Sequence, residues 1–237
     1  MMKKVLFLLM ASALLLGAET LNVASAKGYK KPMTKLFKQF EATSGISVTP
    51  IFGNMRQVIS QTELSGKVSV VVGDRAFLER SSLQVASMLP LGNGRLVLAY
   101  PKGSSLARID AIADAEVKKI AMPDPKKAIY GKAATQYLKS SGLEAKVGGK
   151  LLTVGTVPQV SSYLIAGEID AGFINLTDAL GIREKIGGYI EADQKLYTPI
   201  HIVCAVVAGH EGDKSVAAFS AFLKTAEARA ILEASGL

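Results

Sequence analysis

Residues 21–52 read LNVASAKGYKKPMTKLFKQFEATSGISVTPIF, and this stretch decides the fold. Leu21 to Ala24 is a short β-prone run, Ser25 to Lys31 is a loop, and Pro32 stands where the first turn of a helix tolerates proline. Met33, Leu36, Phe37 and Phe40 recur at helical spacing, Gly45 supplies a helix stop, and Ile46 to Phe52 is a second strand. Strand, helix and strand in this order form a βαβ unit, the building block of parallel sheets.

Outward from this unit the alternation continues. A helix runs from near Asn54 to Ser65 and Gly66, and Val68 to Val72 is an apolar run of the kind buried in parallel sheets. Strands are expected at Arg95–Tyr100, Ile120–Met122, Asp170–Ile174 and Ile200–Val207, and helices at Tyr130–Leu138, Pro158–Ala166, Ser215–Leu223 and Glu227–Ala234. The pattern predicts an α/β protein of two lobes, each a mostly parallel sheet flanked by helices. Residues 19–98 plus 200–237 form lobe 1, and residues 99–199 form lobe 2. A chain that leaves one lobe and returns has two crossovers, near Ala99 and Pro199, which can act as hinges.

Upstream of the first strand, Lys3 and Lys4 precede the apolar run Val5 to Leu16, and Gly17 and Ala18 offer small residues for cleavage. This reads as a secretory signal peptide over residues 1–18, since the run falls short of the roughly 20 residues that span a bilayer. No cysteine follows it, so the expected mature protein is a soluble periplasmic monomer starting near Glu19. Cys204 is the only cysteine and excludes an internal disulfide, leaving burial as the source of stability.

The formal charge is +8, and removing Lys3 and Lys4 with no acidic residue lost leaves +6. That balance favours anionic partners. The basic residues are dispersed and no motif interleaves them with aromatics, which argues against nucleic acid.

In open α/β sheets ligands lie beyond the carboxyl ends of strands, where helix N-termini attract anions. Ser25–Lys31, Gly53–Arg56, Ala128–Gly131 and Gly155–Pro158 have that form, and Asn175–Asp178 leaves a strand toward the same rim. Arg56, in the first turn of its helix, is placed to make a bidentate pair with an oxyanion, or it is a solvated surface arginine. Lys27 offers a weaker version of the same choice. Asn54 either caps its helix or touches ligand, and Asp74 either positions Arg56 or ends its strand.

Catalysis needs a nucleophile with a base, or a cluster of metal ligands, and neither is legible. His201 and Cys204 lie three apart in an expected strand, on opposite faces, and His210 sits in a turn. No phosphate-cradling Gly-Lys-Ser motif is present. No catalytic residue, resident metal or cofactor is expected.

Several segments resemble one known family. They are Gly94–Leu98 with Pro101; Pro125, Ala128, Tyr130, Gly131, Ala133 and Ala134; Gly167, Glu168, Asp170 to Gly172 and Thr177 to Ala179; and Phe219, Leu223, Ala228 and Gly236. Together they resemble the periplasmic molybdate-binding proteins of ABC importers over nearly all of the mature chain. The resemblance implies the type II periplasmic-binding-protein fold, a membrane permease as partner, and molybdate or tungstate as the favoured ligand. In that family two serine hydroxyls of the first lobe, backbone N–H groups of both lobes and often a tyrosine of the second hold the anion.

Here the first serine's loop contains Ser25, but Gly28 falls at the matching position. The second loop reads Gly53, Asn54, Met55, Arg56, with no hydroxyl, and the tyrosine position falls on Asn175. Ala128 and Val157 match positions that contribute backbone N–H groups, and Tyr130 lies beside the first of them. The departures leave a different anion, such as a phosphorylated compound or a small carboxylate, as the alternative ligand.

Overall fold

The structure, a computed structural model, describes residues 19–237; the expected signal peptide lies outside the described residues. From the start the chain forms β1 (Thr20–Ala26), α1 (Lys30–Ser44), β2 (Ser47–Gly53), α2 (Met55–Ser65), β3 (Val70–Asp74), α3 (Arg75–Glu79) and β4 (Val85–Gly94). A second series follows: β5 (Leu96–Pro101), β6 (Ile120–Pro123), α4 (Ile129–Ser140), α5 (Glu144–Val147), β7 (Leu151–Val154), α6 (Val157–Ala166), β8 (Ala171–Asn175), α7 (Leu176–Ile182) and β9 (Ile186–Glu191). The last elements are β10 (Ile200–Val207), α8 (Lys214–Phe222) and α9 (Ala226–Glu233).

These strands build two five-stranded sheets, in the orders β2-β1-β3-β10-β4 and β7-β6-β8-β5-β9. Both sheets are mixed and share one plan. In the first, β1 runs parallel to β2 and β3 while β10 runs antiparallel to β3 and β4; in the second, β6 runs parallel to β7 and β8 while β5 runs antiparallel to β8 and β9. The antiparallel strands β5 and β10 are those that enter from the other sheet. They need no βαβ crossover to reach their places.

The first passage between sheets is the single residue Arg95, and the second lies between Glu191 and Ile200. The apolar residues Leu96, Val97 and Leu98 therefore belong to the second sheet, where Leu96 pairs with Asn175, three residues ahead of the expected crossover at Ala99. An unbroken apolar run carries no mark of which sheet it joins. The Gly45, Gly66 and Gly167 caps of α1, α2 and α6 adopt left-handed conformations, at φ 72, 58 and 70°, as helix stops require.

Packing holds the helices against their sheets. In the first sheet, α1 meets α8 through Phe37, Phe40, Phe219 and Phe222, with Phe40 edge-on to Phe219 at 5.1 Å between ring centres. Met55 of α2 lies across Gly73 of β3, where an added Cβ would stand 2.6 Å from its sulfur. Cys204 is buried in β10, and desolvation pushes its thiol up to about 12, so it is an inert core residue.

Candidate functional site

Three helix N-termini converge on one small cavity between the sheets. From the first sheet, Lys27, Gly28 and Tyr29 after β1, and Asn54 and Met55 after β2, line it; from the second, Ala128, Ile129 and Tyr130 after β6, and Thr156 and Val157 after β7. Its volume is about 30 Å³, room for a water molecule or two. The sequence places every one of these residues at the carboxyl end of a parallel strand, where a helix begins.

The donors of the cavity are main-chain groups. The first N–H groups of any α-helix lack intrahelical acceptors, which here leaves Met55 and Arg56 of α2, Ile129 and Tyr130 of α4, and Val157 of α6. Asn54 closes a capping box on α2: its Oδ1 accepts from the Gln57 N–H at 3.0 Å, and the Gln57 side chain accepts from the Asn54 N–H at 3.0 Å. Ala128 differs from expectation, because its own N–H donates to the Asp124 carbonyl at 2.9 Å across the Asp124–Lys127 turn. The available donors at that corner are the next two residues.

Below the cavity the two sheets touch through buried polar groups. The Tyr29 and Tyr130 hydroxyls meet at 2.6 Å, and the Asn175 amide donates to the Gly28 carbonyl at 3.2 Å. Because a carbonyl can only accept, the Asn175 nitrogen must face it, and the side-chain oxygen is left buried without a partner. Burial, reinforced by Tyr130, pushes the Tyr29 phenol well above the usual tyrosine value, and burial pushes Tyr130 up as well. Both stay protonated at neutral pH and act as neutral hydrogen-bonding groups.

Gly94, the last residue of β4, makes room for this pair. A Cβ there would stand 2.1 Å from the Tyr130 hydroxyl and 3.1 Å from that of Tyr29. The passage between sheets and the cross-sheet hydrogen bond thus share one glycine.

On one side of the cavity Lys31 of α1 reaches Asp178 of α7 at 3.5 Å, and the Ser161 hydroxyl of α6 donates to the same carboxylate. On the other, a hollow of about 150 Å³ opens from Ala128 and Ile129 toward α3.

Of the residues singled out from sequence, Lys27, Gly28, Asn54, Met55, Ala128, Tyr130 and Val157 line the cavity. Three do not. Ser25 is buried at the end of β1 with its hydroxyl turned to the Ala26 carbonyl, Asn175 lies just behind Gly28, and the Arg56 side chain is exposed on α2. Asp74 caps α3 by accepting from the Phe77 N–H at 2.8 Å. Tyr29, Ile129 and Thr156 also line the cavity; they lie in the loops expected from sequence but were not singled out there. Thr156 was legible as the helix-preceding residue before Pro158, and its hydroxyl makes no capping bond to α6. Tyr29 carried no signal, since its role depends on a partner 101 residues away.

Among the described residues no group of three or more His, Cys, Asp or Glu could hold a metal, and no helix is long and apolar enough to cross a membrane. The cavity lining contains one charged side chain, Lys27.

Comparison with known proteins agrees with this geometry. The molybdate-binding protein ModA of Rhodobacter capsulatus is 26% identical over 239 residues, spanning 98% of this chain and 93% of that protein. The periplasmic molybdate-binding protein of Azotobacter vinelandii superposes with a TM-score of 0.79 at 24% identity, over 91% of this chain and 97% of the other. PEB3, a Campylobacter jejuni protein, superposes in its L-phospholactate-bound form with a TM-score of 0.73 at 14% identity, over 91% and 98% of the two chains. At such identities the superpositions show a shared two-lobed periplasmic-binding fold. The family model for bacterial extracellular solute-binding proteins matches residues 21–237, and the chain belongs to that family.

Proposed function

We propose that this protein is the extracytoplasmic solute-binding component of an ABC importer, and that it captures a small oxyanion in the cavity between its sheets. The observation that carries the reading is the convergence of α2, α4 and α6 on one cavity from both sheets. Their N-terminal dipoles and free N–H groups favour negative charge, and no carboxylate lines the cavity to oppose it. Molybdate and tungstate are the favoured ligands, on the likeness to molybdate-binding relatives. A phosphorylated compound or small carboxylate is the second reading, favoured by the missing serine hydroxyls and by the likeness to a phospholactate-bound protein.

The lining offers hydrogen-bond donors without a general base, which fits binding and release better than turnover. A cavity of about 30 Å³ is small for an oxyanion, which fits capture by an opening and closing about Gly94–Arg95 and the 192–199 segment. Closing changes the outer shape of the pair of lobes, which gives a membrane permease a means of telling loaded from empty protein.

Thermal shift and calorimetric titration with molybdate, tungstate, sulfate and phosphate test the reading. A ligand at about 100 times its dissociation constant adds about 2.7 kcal/mol of stability. Absence of any shift with all four anions overturns the inorganic reading.

A further inference from the structure

Beside the central cavity, and sharing Ala128 and Ile129 with its lining, lies the hollow of about 150 Å³ lined by Phe77, Arg80, Ser81, Pro125 and Lys132. Its two cations come from opposite lobes: Arg80 follows α3 of the first, and Lys132 lies on α4 of the second. Neither has a carboxylate within 4 Å among the described residues. The nearest acidic influence on Arg80 is Asp74, whose carboxylate is buried and already accepts from the Phe77 N–H at 2.8 Å. Phe77 and Pro125 give the hollow apolar walls.

Arg80 and Lys132 therefore bring two positive charges to one hollow, and one buried carboxylate, Asp74, stands beside them across a smaller neighbouring hollow that both also line. Like charges repel, and an anion placed between them reverses the sign of the interaction. On the other side of the cleft Lys31 does have a cross-lobe partner, meeting Asp178 at 3.5 Å, while Lys27, Lys30 and Lys185 line the same hollow.

Resting on the reading of the central cavity as an oxyanion site, we infer that Arg80 and Lys132 form a second anionic subsite and that the solute is two-headed. Its oxyanion end takes the N–H groups of α2, α4 and α6. Its other end, a carboxylate, lies in the hollow, where the Arg80 guanidinium offers a planar fork of donors and Lys132 a point charge. A chain of a few atoms passes over Ala128 and Ile129 to join them. The chemical class is a small carboxylic acid bearing a phosphate or a similar oxyanion. Such a ligand touches both lobes twice and so rewards closure more than a simple ion does.

Calorimetric titration of the protein with 2-phosphoglycolate, inorganic phosphate, glycolate and molybdate tests this. The two-headed probe is expected to bind at least about tenfold more tightly than phosphate or glycolate alone. Arg80→Ala and Lys132→Ala are each expected to weaken it about ten- to a hundredfold while changing phosphate and molybdate by less than about threefold. Lys185→Ala, which removes an exposed charge from the opposite side of the cleft, serves as the control for general electrostatics and should move none of the four by more than about threefold.

Equal affinity for 2-phosphoglycolate and phosphate overturns the subsite. So does an equal loss for both ligands on removing Arg80, or an equal loss in the Lys185 control. Simple oxyanions that bind normally with no gain from the second head sink this inference alone; a protein that binds none of the four probes sinks the oxyanion reading with it.

Discussion

The two sides of the cleft handle the same closing motion in opposite ways. On the α1/α7 side, Lys31 lies against Gly181 and reaches Asp178, whose second oxygen accepts from Ser161, so one lysine of the four that line this hollow, with Lys27, Lys30 and Lys185, has a cross-lobe partner. On the α3/α4 side, Arg80 and Lys132 line one hollow without an ion pair within 4 Å among the described residues, and a single buried carboxylate, Asp74, lines a smaller hollow with both. The Lys31–Asp178 pair favours closure with or without solute. The second side opposes closure until an anion arrives. A solute that binds the closed shape better than the open one then shifts the balance toward closure by its difference in affinity for the two.

The largest test of this picture is at the passage between the lobes. Gly94→Ala puts a Cβ 2.1 Å from the Tyr130 hydroxyl and 2.8 Å from Ile200, too close for either side chain to stay where it is. Tyr130 must move, which strains its hydroxyl contact with Tyr29 across the two sheets. We expect an enlarged radius of gyration in scattering, loss of ligand affinity by more than about tenfold, and a stability loss of about 1–3 kcal/mol, typical of overpacking. An unchanged radius and affinity would show that the pair at Gly94 does not set the closed shape.

Asp178→Ala acts on the α1/α7 side. It leaves the Ser161 hydroxyl buried without its acceptor, and it leaves Lys31 facing a vacant position; the lysine side chain is 44% exposed, so its share is small. We expect a loss of about 1–3 kcal/mol in denaturant unfolding, most of it from the hydroxyl. Arg80→Ala in ligand-free protein should cost less than about 0.5 kcal/mol or stabilise slightly, since it relieves repulsion. Equal losses in the two variants would erase the difference between the sides.

How much of this was legible in the sequence follows from what each residue needs as a partner. Strand ends and helix starts depend on local pattern, so the loops at Lys27, Asn54, Ala128 and Val157 were found, and they line the cavity. β4 was not found, because its residues alternate weakly, it contains Pro90 and Gly92, and its pairing with β10 is bulged. The cross-lobe contacts were invisible for a different reason. Tyr29 with Tyr130, and Arg80 with Lys132, become pairs only once two crossovers fold the chain back on itself. The side chain chosen from sequence for its chemistry, Arg56, is exposed and outside the cavity lining, whereas Met55 at the start of its helix lines it.

Tyr130→Phe tests the floor of the cleft, which belongs to neither side. It removes the 2.6 Å hydroxyl contact and should cost about 0.5–1.5 kcal/mol. The pH dependence has a definite sign. Burial raises the folded-state values of Tyr29 and Tyr130 above that of an unfolded tyrosine, near 10. Their contribution is therefore complete below about pH 10 and is lost as pH rises through the folded values, because only the unfolded chain releases these protons readily. Alkaline unfolding followed by tyrosinate absorbance should begin at about pH 10 in the parent and show a shallower fall in Tyr130→Phe. A parent whose stability is flat to about pH 12 would contradict the buried pair.

The smallest expected effect is at Arg56, and it separates charge near the cleft from charge within it. Arg56 is the second residue of α2, and its N–H lies among the free donors of that helix end, while its guanidinium is exposed and outside the cavity lining. Replacement by alanine keeps the N–H, keeps the Asn54–Gln57 capping box and removes only a solvated charge. Screening at physiological salt weakens that charge over a Debye length of about 8 Å, so Arg56→Ala should change ligand affinity by less than about threefold and stability by less than about 0.5 kcal/mol. Arg56→Pro makes the complementary change: it deletes the N–H at a first-turn position that tolerates proline's backbone, and it should weaken anion binding more than alanine does. Titration of both variants with the best anion gives the comparison directly. If alanine weakens binding more than proline does relative to alanine, the guanidinium reaches the ligand, and the anion is held by a side chain on a helix whose main chain was expected to hold it.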